Sequence, residues 1–283
     1  MTGVLIEAEA RKSLGQHFLF NSDLLRRIAL CAGPLEGAPV LEIGPGPGGL
    51  TRAILEAGAG IVMAVEADTR FADGLAKWPE ALSGRLRVIN ADARKVDIPS
   101  LLDEAGVSGP VRIIANLPYN VATPLLVGWL KAGAWRGEMV LMFQKEVALR
   151  ICGHPGQEHY GRLSVISSAV CRSRIALTLP PGAFRPPPAV DSAVVVMSPL
   201  GPGERFADLA SLETVSAAAF GNRRKMLRAA LKSLNLPPGG AGALLQSAGI
   251  DGTRRAESLS QEEFRALAGA YATMVSGQAP DEA

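Results

Sequence analysis

The chain has 283 residues, of which 48% are hydrophobic and 20% charged, enough to bury a substantial core in one large domain or two unequal ones. Its 29 Lys and Arg residues nearly balance 27 Asp and Glu residues, which excludes a histone-like or acidic-tail protein. Any attraction to nucleic acid must therefore come from local clusters of basic residues. The 31 glycines and 20 prolines follow no fixed period, which excludes collagen and argues against low complexity.

The cysteines and the apolar segments indicate the cellular compartment of the protein. Cys31, Cys152 and Cys171 lack the close spacing that a disulfide scaffold or a structural zinc site requires, which favours a reducing environment. The N-terminal residues contain no apolar run of signal-peptide length. Residues 113–130 carry no charge, but prolines and asparagines interrupt them early, which predicts a strand, a loop and a helix. We therefore expect a soluble, cytoplasmic protein.

The first two-thirds of the chain alternates short apolar runs with helical patterns. Buried strands are predicted at 40–43, 61–65, 86–89, 111–115 and 139–143. Crossover helices are predicted at 50–57 and 69–77, which makes a doubly wound α/β domain with a parallel sheet. Ligands of such domains bind beyond the carboxyl ends of the strands. Two further β-rich runs, at 163–170 and 190–197, are predicted to complete the sheet on either side of a rigid proline-rich connection, 180–188.

The composition changes to Ala, Leu and Arg after residues 199–203. Helical patterns at 208–219, 225–234 and 261–272 predict a small helical domain over 200–283, separate from the α/β domain over 1–199. Ser260 and Glu263 have the spacing of a capping box at the start of the last of these helices.

A glycine-rich turn joins the first predicted strand to the following helix. Its sequence, Gly44-Pro45-Gly46-Pro47-Gly48-Gly49, satisfies the dinucleotide fingerprint, so a nicotinamide or flavin oxidoreductase is one hypothesis. A pyrophosphate needs backbone N–H donors, however, and the two prolines have none. S-adenosylmethionine (SAM) carries no phosphate, so the turn favours SAM. A turn without any ligand is the alternative, which the order of strand, turn and helix disfavours.

Two carboxylates end the next two strands. Glu66 is placed to accept hydrogen bonds from both hydroxyls of a ribose, and Asp92 to accept one from the amine of the cofactor's adenine. Each acid alone is usually only solvated. Their positions at successive strand ends, next to the glycine-rich turn, predict one nucleoside-shaped cleft.

Asn116-Leu117-Pro118-Tyr119 follows the fourth strand and suits methylation of an amine on an aromatic base. The adenine N6 lone pair is delocalised into the ring, so it attacks poorly unless acceptors hold its hydrogens. Asn116 and the Leu117 carbonyl would supply those acceptors, because Pro118 biases Leu117 towards an extended conformation. Tyr119 would stack on the base. A turn with one structural Asn is the alternative, which the position directly after a strand disfavours.

With these motifs in view, the chain resembles the ribosomal RNA adenine N6,N6-dimethyltransferases, most closely those of the bacterial small subunit. The matching segments are 12–19, 42–46, 116–120, 144–147, 160–164 and 184–195. The resemblance implies that the first segment closes over SAM, with contacts from His17 and Leu19 alongside Gly44, Gly46, Glu66, Asp92 and Asn116. It further implies that Phe184, otherwise a core residue, sandwiches the target adenine opposite Tyr119. No metal role is predicted for His17, because His154 and His159 form no ligand pattern with it.

A basic stretch without acidic residues covers 220–228, and Lys232 continues it. Charge alone favours a solvated helix face, but beside an adenine-modifying site these cations are predicted to contact RNA phosphates. The predicted RNA-binding residues are Arg223, Arg224, Lys225 and Arg228. Arg254-Arg255 and Arg11-Lys12 are candidates to extend the cluster.

The resemblance implies a SAM-dependent enzyme that dimethylates N6 of two adjacent adenosines in the 3′-terminal hairpin loop of small-subunit ribosomal RNA. Its partner would be an immature small ribosomal subunit, with no membrane or metal, and a monomer is expected. Three alternatives stay open: a large-subunit adenine dimethyltransferase that confers macrolide resistance, a DNA adenine methyltransferase, and a non-catalytic ribosome assembly factor.

Overall fold

A computed structural model of the protein describes residues 5–6, 11 and 15–276. The chain forms two compact units, one combining Met1–Ala148 with Arg174–Pro199 and the other combining Leu149–Ser173 with Leu200–Ala283. One junction between the units falls at the boundary that the sequence predicts, between domains 1–199 and 200–283. Residues 149–173 group with the C-terminal helices. The separate roles assigned to the two domains stay a prediction.

The described part of the chain contains nine strands, most of them in one sheet. They are β1 Phe18–Leu19, β2 Pro39–Ile43, β3 Ile61–Glu66, β4 Leu86–Asn90, β5 Val111–Asn116, β6 Arg136–Gln144, β7 Cys171–Leu179, β8 Phe184–Arg185 and β9 Ser192–Pro199. Strands β1 and β8 form an antiparallel pair, and the other seven form a sheet in the order β4-β3-β2-β5-β6-β9-β7. The five strands from β4 to β6 are parallel, whereas β9 runs antiparallel to β6. The predicted parallel sheet of a doubly wound, Rossmann-like α/β domain is confirmed, with an antiparallel addition.

The parallel strands form where predicted because both of their faces are covered. In β3, every residue from Val62 to Glu66 is buried, as expected of a parallel strand between two layers of helices. The register pairs Ile43 of β2 with Val65 of β3, so the two strands end at the same edge of the sheet. Gly44 and Glu66 consequently lie at that edge.

The helices follow the predicted order. They are α1 Ser22–Ala29, α2 Gly49–Glu56, α3 Thr69–Leu75, α4 Pro79–Leu82, α5 Ile98–Glu104, α6 Tyr119–Lys131, α7 Lys145–Ile151, α8 Arg162–Ser168, α9 Leu209–Phe220, α10 Leu227–Ala230, α11 Gly240–Ser247 and α12 Gln261–Ser276. The predictions at 50–57, 69–77, 208–219 and 261–272 are confirmed. The pattern at 225–234 forms only the single turn of α10 and a 3-10 turn after it.

The strand predicted at 163–170 is wrong, because these residues form α8 and the strand begins only at β7. The Ser164 hydroxyl accepts a hydrogen bond from the Gly161 amide at 3.2 Å and donates one to the Arg150 carbonyl at 2.6 Å. These bonds stabilise the first helical turn, as side chains of this type do at helix starts. The β-branched residues of the segment therefore do not decide its structure. The prediction at 190–197 is confirmed by β9.

The last helix begins with the predicted capping box. The Ser260 amide donates to Glu263 Oε2 at 2.7 Å, and the Glu263 amide donates to Ser260 Oγ at 3.2 Å. This reciprocal pair satisfies two amide groups that the first turn of a helix leaves unpaired.

Among the described residues, no helix is long and apolar enough to cross a membrane. The uncharged segment 113–130 divides, as predicted, into β5, a turn at Leu117 and Pro118, and α6.

Candidate active site

A cavity of about 320 Å³ lies at the carboxyl ends of β2, β3 and β5. Nine residues that the sequence singled out line it: His17, Gly44, Gly46, Glu66, Asp92, Asn116, Leu117, Pro118 and Tyr119. Its volume is at the small end of the range for pockets that bind small molecules. The residues that the sequence placed at four strand ends, together with His17, are therefore brought together.

The glycine-rich turn has a backbone that only glycine adopts readily. Gly44, Gly46 and Gly48 have φ values of +68°, +53° and +89°, in the left-handed region. A Cβ atom on Gly48 would lie 2.5 Å from the Trp78 ring, so this glycine is also required by packing. A Cβ atom on Gly44 would meet only Pro118 at 3.9 Å and the Asn116 carbonyl oxygen at 4.0 Å. Gly44 thus keeps the space between the turn and the Asn-Leu-Pro-Tyr motif open.

Glu66 is buried, with 5% of its surface exposed. Its Oε2 accepts a hydrogen bond from the Gly46 amide at 2.9 Å, and its Oε1 accepts one from the Asp68 amide at 2.8 Å. Burial raises the pKa of Glu66, and the amide hydrogen bonds counteract that rise. Because an ionised carboxylate has about four acceptor positions, these two bonds orient the group and leave capacity for ribose hydroxyls.

Asp92 has a partner that the sequence analysis missed. Arg94 donates to both of its carboxylate oxygens, with Nε 3.0 Å from Oδ1 and the terminal nitrogen 2.6 Å from Oδ2. These hydrogen bonds are the main reason that the pKa of Asp92 falls to about 2. Asp92 is therefore an ionised acceptor at neutral pH, as an adenine amine requires. The spacing of the two residues is a local signal that could have revealed the pair.

The Asn116 side chain is oriented by the backbone of the N-terminal segment. Its amide nitrogen donates to the His17 carbonyl oxygen at 3.0 Å. Since the His17 carbonyl can only accept a hydrogen bond, the Asn116 atom bonded to it must be the amide nitrogen, and the amide oxygen is at the other end of the amide group. Among the described residues, that oxygen accepts no hydrogen bond, so Asn116, which lines the cavity, keeps a free acceptor.

The Tyr119 ring is held by two neighbours. It stacks on the His17 ring, with centroids 5.8 Å apart and planes at 28°, and its hydroxyl lies 2.5 Å from Ser192 Oγ. Burial raises the pKa of the Tyr119 phenol, so it stays protonated at neutral pH. His17 Nδ1 lies 2.8 Å from the Pro186 carbonyl oxygen, to which it must donate. The sequence analysis did not single out Ser192 or Pro186.

Two residues that the resemblance assigned to the site lie elsewhere. Leu19 and Phe184 pair in the β1–β8 register and are only 4% and 2% exposed, within the hydrophobic core of the first unit. Neither lines the cavity. In this structure the His17 ring, and not Phe184, lies against Tyr119.

The predicted RNA-binding residues differ in their surroundings. Arg223 donates to the carbonyl oxygens of Glu158, at 2.7 Å, and Tyr160. The side chains of Arg224, Lys225 and Arg228 are exposed and have no hydrogen bond or ion pair with other described residues. All four residues are exposed, and Arg223 in addition links two carbonyl groups of the second unit. The RNA contacts of all four stay a prediction.

Two of the four candidates for extending this cluster form ion pairs. Arg254 forms an ion pair with Glu263, and Arg11 lies 3.9 Å from an Asp68 carboxylate oxygen. Lys12 lies outside the described residues.

The donors and acceptors of the cavity fit SAM. Its nucleoside presents hydroxyl and amine hydrogens, which Glu66 and Asp92 can accept, and the glycine-rich turn offers close approach instead of the amide donors that a pyrophosphate needs. The nicotinamide alternative is disfavoured by the same features.

Comparison with known proteins agrees with this fit. Residues 7–273 match the family described as ribosomal RNA adenine dimethylase. The chain is 52% identical over 263 residues to ribosomal RNA small subunit methyltransferase A of Agrobacterium fabrum, covering 92% of each chain. It is 50% identical to the protein of that name from Rhodospirillum rubrum, covering 92% of this chain and 87% of the relative.

Solved structures show the same fold. A dimethyladenosine transferase from Plasmodium falciparum superimposes with a TM-score of 0.73 at 25% identity, covering 89% of this chain and 96% of that one. The 23S rRNA methyltransferase ErmE superimposes with a TM-score of 0.65 at 26% identity, covering 90% and 99%. The chain therefore belongs to the ribosomal RNA adenine dimethylase family of SAM-dependent methyltransferases.

Proposed function

We propose that this protein transfers methyl groups from SAM to N6 of adenosines in small-subunit ribosomal RNA and forms dimethyladenosine. The observation that carries the proposal is the state of Asn116, which lines the cavity with Tyr119 and whose amide oxygen accepts no hydrogen bond from other described residues. The relatives at about 50% identity named small-subunit methyltransferases support the choice of RNA. The finer target is two adjacent adenosines in the 3′-terminal hairpin loop, within an immature subunit.

In the proposed complex, Glu66 accepts hydrogen bonds from the ribose hydroxyls of the cofactor, and Asp92 accepts one from its adenine amine. Gly44 and Gly46 allow close approach of the cofactor to the backbone, and the His17 segment covers it. Bound SAM supplies an electrophilic methyl group on its sulfonium sulfur. Leu19 would act from the core, by holding β1 in place.

The target adenine is held by the Asn-Leu-Pro-Tyr motif. The Asn116 amide oxygen and the Leu117 carbonyl accept the two N6 hydrogens, which favours a localised lone pair on N6 for in-line attack. Tyr119 stacks on the base, which is worth about 1–3 kcal/mol. Holding the reacting atoms in line is worth up to roughly 7–11 kcal/mol, so positioning outweighs acid–base catalysis. The methyl–sulfur bond would break as the N6–methyl bond forms, the cofactor would leave as the neutral thioether S-adenosylhomocysteine, and the amine proton would leave to solvent after transfer.

The sandwich of the adenine between Tyr119 and Phe184 requires a rearrangement. Phe184 is 2% exposed, so it can stack on a base only after β8 moves.

RNA binding is assigned to the second unit. Arg224, Lys225 and Arg228 are exposed, and they would contact phosphates and orient the RNA without reading its sequence. The base itself must be unstacked to enter a cavity of this size. The protein would act as a monomer in the cytoplasm.

One observation favours a second candidate. The superposition with ErmE, a 23S rRNA methyltransferase, covers nearly the whole chain, so the same site logic would serve a large-subunit adenine. Substrate choice separates the two candidates.

The test uses methyl-labelled SAM with small ribosomal subunits from cells that lack the modification, followed by nucleoside mass spectrometry. Large-subunit RNA and duplex DNA are assayed in parallel. We expect dimethyladenosine only in the small-subunit RNA. Label in another nucleic acid would show that the proposed substrate is wrong. If the protein binds SAM and the subunit but transfers no methyl group, a non-catalytic assembly factor would be favoured.

A further inference from the structure

The hydroxyl of Tyr119 lies 2.5 Å from the Oγ of Ser192, a residue that is fully buried and does not line the cavity. Ser192 is the first residue of β9, and its register partner is Gln144, the last residue of β6. The antiparallel pairing of these strands therefore sets the position of Ser192. The Ser192 hydroxyl consequently has a fixed position at the edge of the central sheet.

The Tyr119 ring requires such a restraint on its position. It is the first residue of α6, where no preceding helical turn packs against its ring. Stacking on His17 restrains one face of the ring, but offset-stacked rings can still slide over each other. A hydrogen bond at the far end of the phenol holds the hydroxyl, the atom of the side chain that moves most when the ring swings about the Cα–Cβ bond or slides. Rotation about the Cβ–Cγ bond leaves the hydroxyl oxygen in place, so the stack on His17 sets the plane of the ring.

The two restraints on the Tyr119 ring depend on one stretch of chain. The Pro186 carbonyl accepts the His17 Nδ1 proton at 2.8 Å and so holds the stacked ring, while Ser192 holds the hydroxyl. The segment 186–192 thus sets the plane and the position of the tyrosine without reaching into the cavity with a side chain of its own.

We propose that Ser192 is a positioning residue for methyl transfer, whose hydroxyl holds the Tyr119 ring at the position where the target adenine stacks. This inference rests on the proposed function. Ser192 touches neither the adenine nor the cofactor, and it acts only through Tyr119. Since in-line transfer is sensitive to displacements of about 1 Å, releasing the ring slows the chemical step and leaves cofactor binding unchanged.

The test measures single-turnover methylation of unmodified small subunits by the wild type, Ser192→Ala, Tyr119→Phe and the double variant. The chain offers a matched control in Ser198→Ala. Ser198 lies on the same strand and donates to Glu138 Oε1 at 2.6 Å, a comparable bond between β9 and β6 at the opposite end of the strand. Calorimetry gives the dissociation constant of SAM for each variant, and urea unfolding reports its stability.

We expect Ser192→Ala to lower the single-turnover rate about tenfold, the scale of one lost hydrogen bond. The dissociation constant of SAM should stay within about twofold of the wild-type value, and Ser198→Ala should have the wild-type rate. Tyr119→Phe keeps the ring but removes the same bond, so the double variant should be no slower than Tyr119→Phe alone.

Three results would overturn the positioning role: a wild-type rate for Ser192→Ala, a rate loss matched by weaker SAM binding, or multiplicative losses in the double variant. If Ser192→Ala does not fold, Tyr119→Phe removes the bond from its other side, and a wild-type rate for it also refutes the role. A wild type that transfers no methyl group overturns the proposed function and the inference with it, whereas a fully active Ser192→Ala overturns the inference alone.

Discussion

Replacing Glu42 by glutamine should remove a large part of the pH dependence of stability. Glu42 lies in β2, directly before the glycine-rich turn, and only 1% of its surface is exposed. Its Oε2 has no hydrogen-bond partner among the described residues. Burial, and then the nearby Glu66 carboxylate, raises the pKa of Glu42 to about 8 from an ordinary value of 4.5. The folded protein therefore holds a proton that the unfolded chain loses.

The direction of the effect follows from that difference. Below about pH 4.5 the carboxyl is protonated in both states, and its contribution to stability is fully present. As the pH rises from about 4.5 to 8, the unfolded chain ionises first, so the free energy of unfolding falls. At 1.36 kcal/mol per unit of pKa, the whole loss is about 5 kcal/mol.

The assay is urea unfolding of the wild type and Glu42→Gln at several pH values between 5 and 8. The free energy of unfolding of Glu42→Gln, relative to the wild type, should rise steadily across this range, because the amide does not titrate. Glu104→Gln, which removes an exposed carboxylate at the end of α5, controls for the loss of one charge. Parallel profiles for the wild type and Glu42→Gln would refute the assignment of a buried proton to Glu42.

Further predictions concern the site, the turn and the RNA surface. Asn116→Ala should lower turnover about 100-fold or more with little change in SAM affinity, measured by calorimetry; retained turnover would contradict its role. Gly48→Ala should cost about 2–4 kcal/mol of stability, since both its φ and the adjacent indole exclude a Cβ, whereas Gly84→Ala, with a similar φ and open space around it, should cost only about 1–2 kcal/mol. Equal losses in urea unfolding would refute the steric argument. Arg224→Gln should reduce the salt slope of RNA binding by about 1, measured by filter binding. Arg223→Gln should lower the free energy of unfolding by about 1–3 kcal/mol, because it removes the donor from two carbonyls. The reverse pattern in filter binding and urea unfolding would exchange the roles of the two arginines.

Much of the fold could be predicted because its signals are local. A continuous apolar run marks β3, and runs interrupted by one charged residue mark β2 and β5, since parallel strands bury both faces. The Ser260 capping box uses groups only three residues apart. The α8 segment shows where this reasoning fails. Its β-branched residues favour a strand, but the Ser164 hydroxyl bonds to the Arg150 carbonyl, 14 residues away, and stabilises a helical turn.

Most site residues could also be named in advance, because Gly44, Glu66, Asp92 and Asn116 end or follow strands of one parallel sheet and such strand ends converge. His17 is implied only by the family resemblance. The orientation of the side chains in the site could not be predicted. The bond from Asn116 to the His17 carbonyl spans 99 residues, and the bond from Tyr119 to Ser192 spans 73. No spacing along the chain predicts such pairs, since they form only when packed strands bring distant groups within about 3 Å. Short motifs thus determine which chemical groups the site contains, whereas the direction in which each group points depends on packing between distant segments.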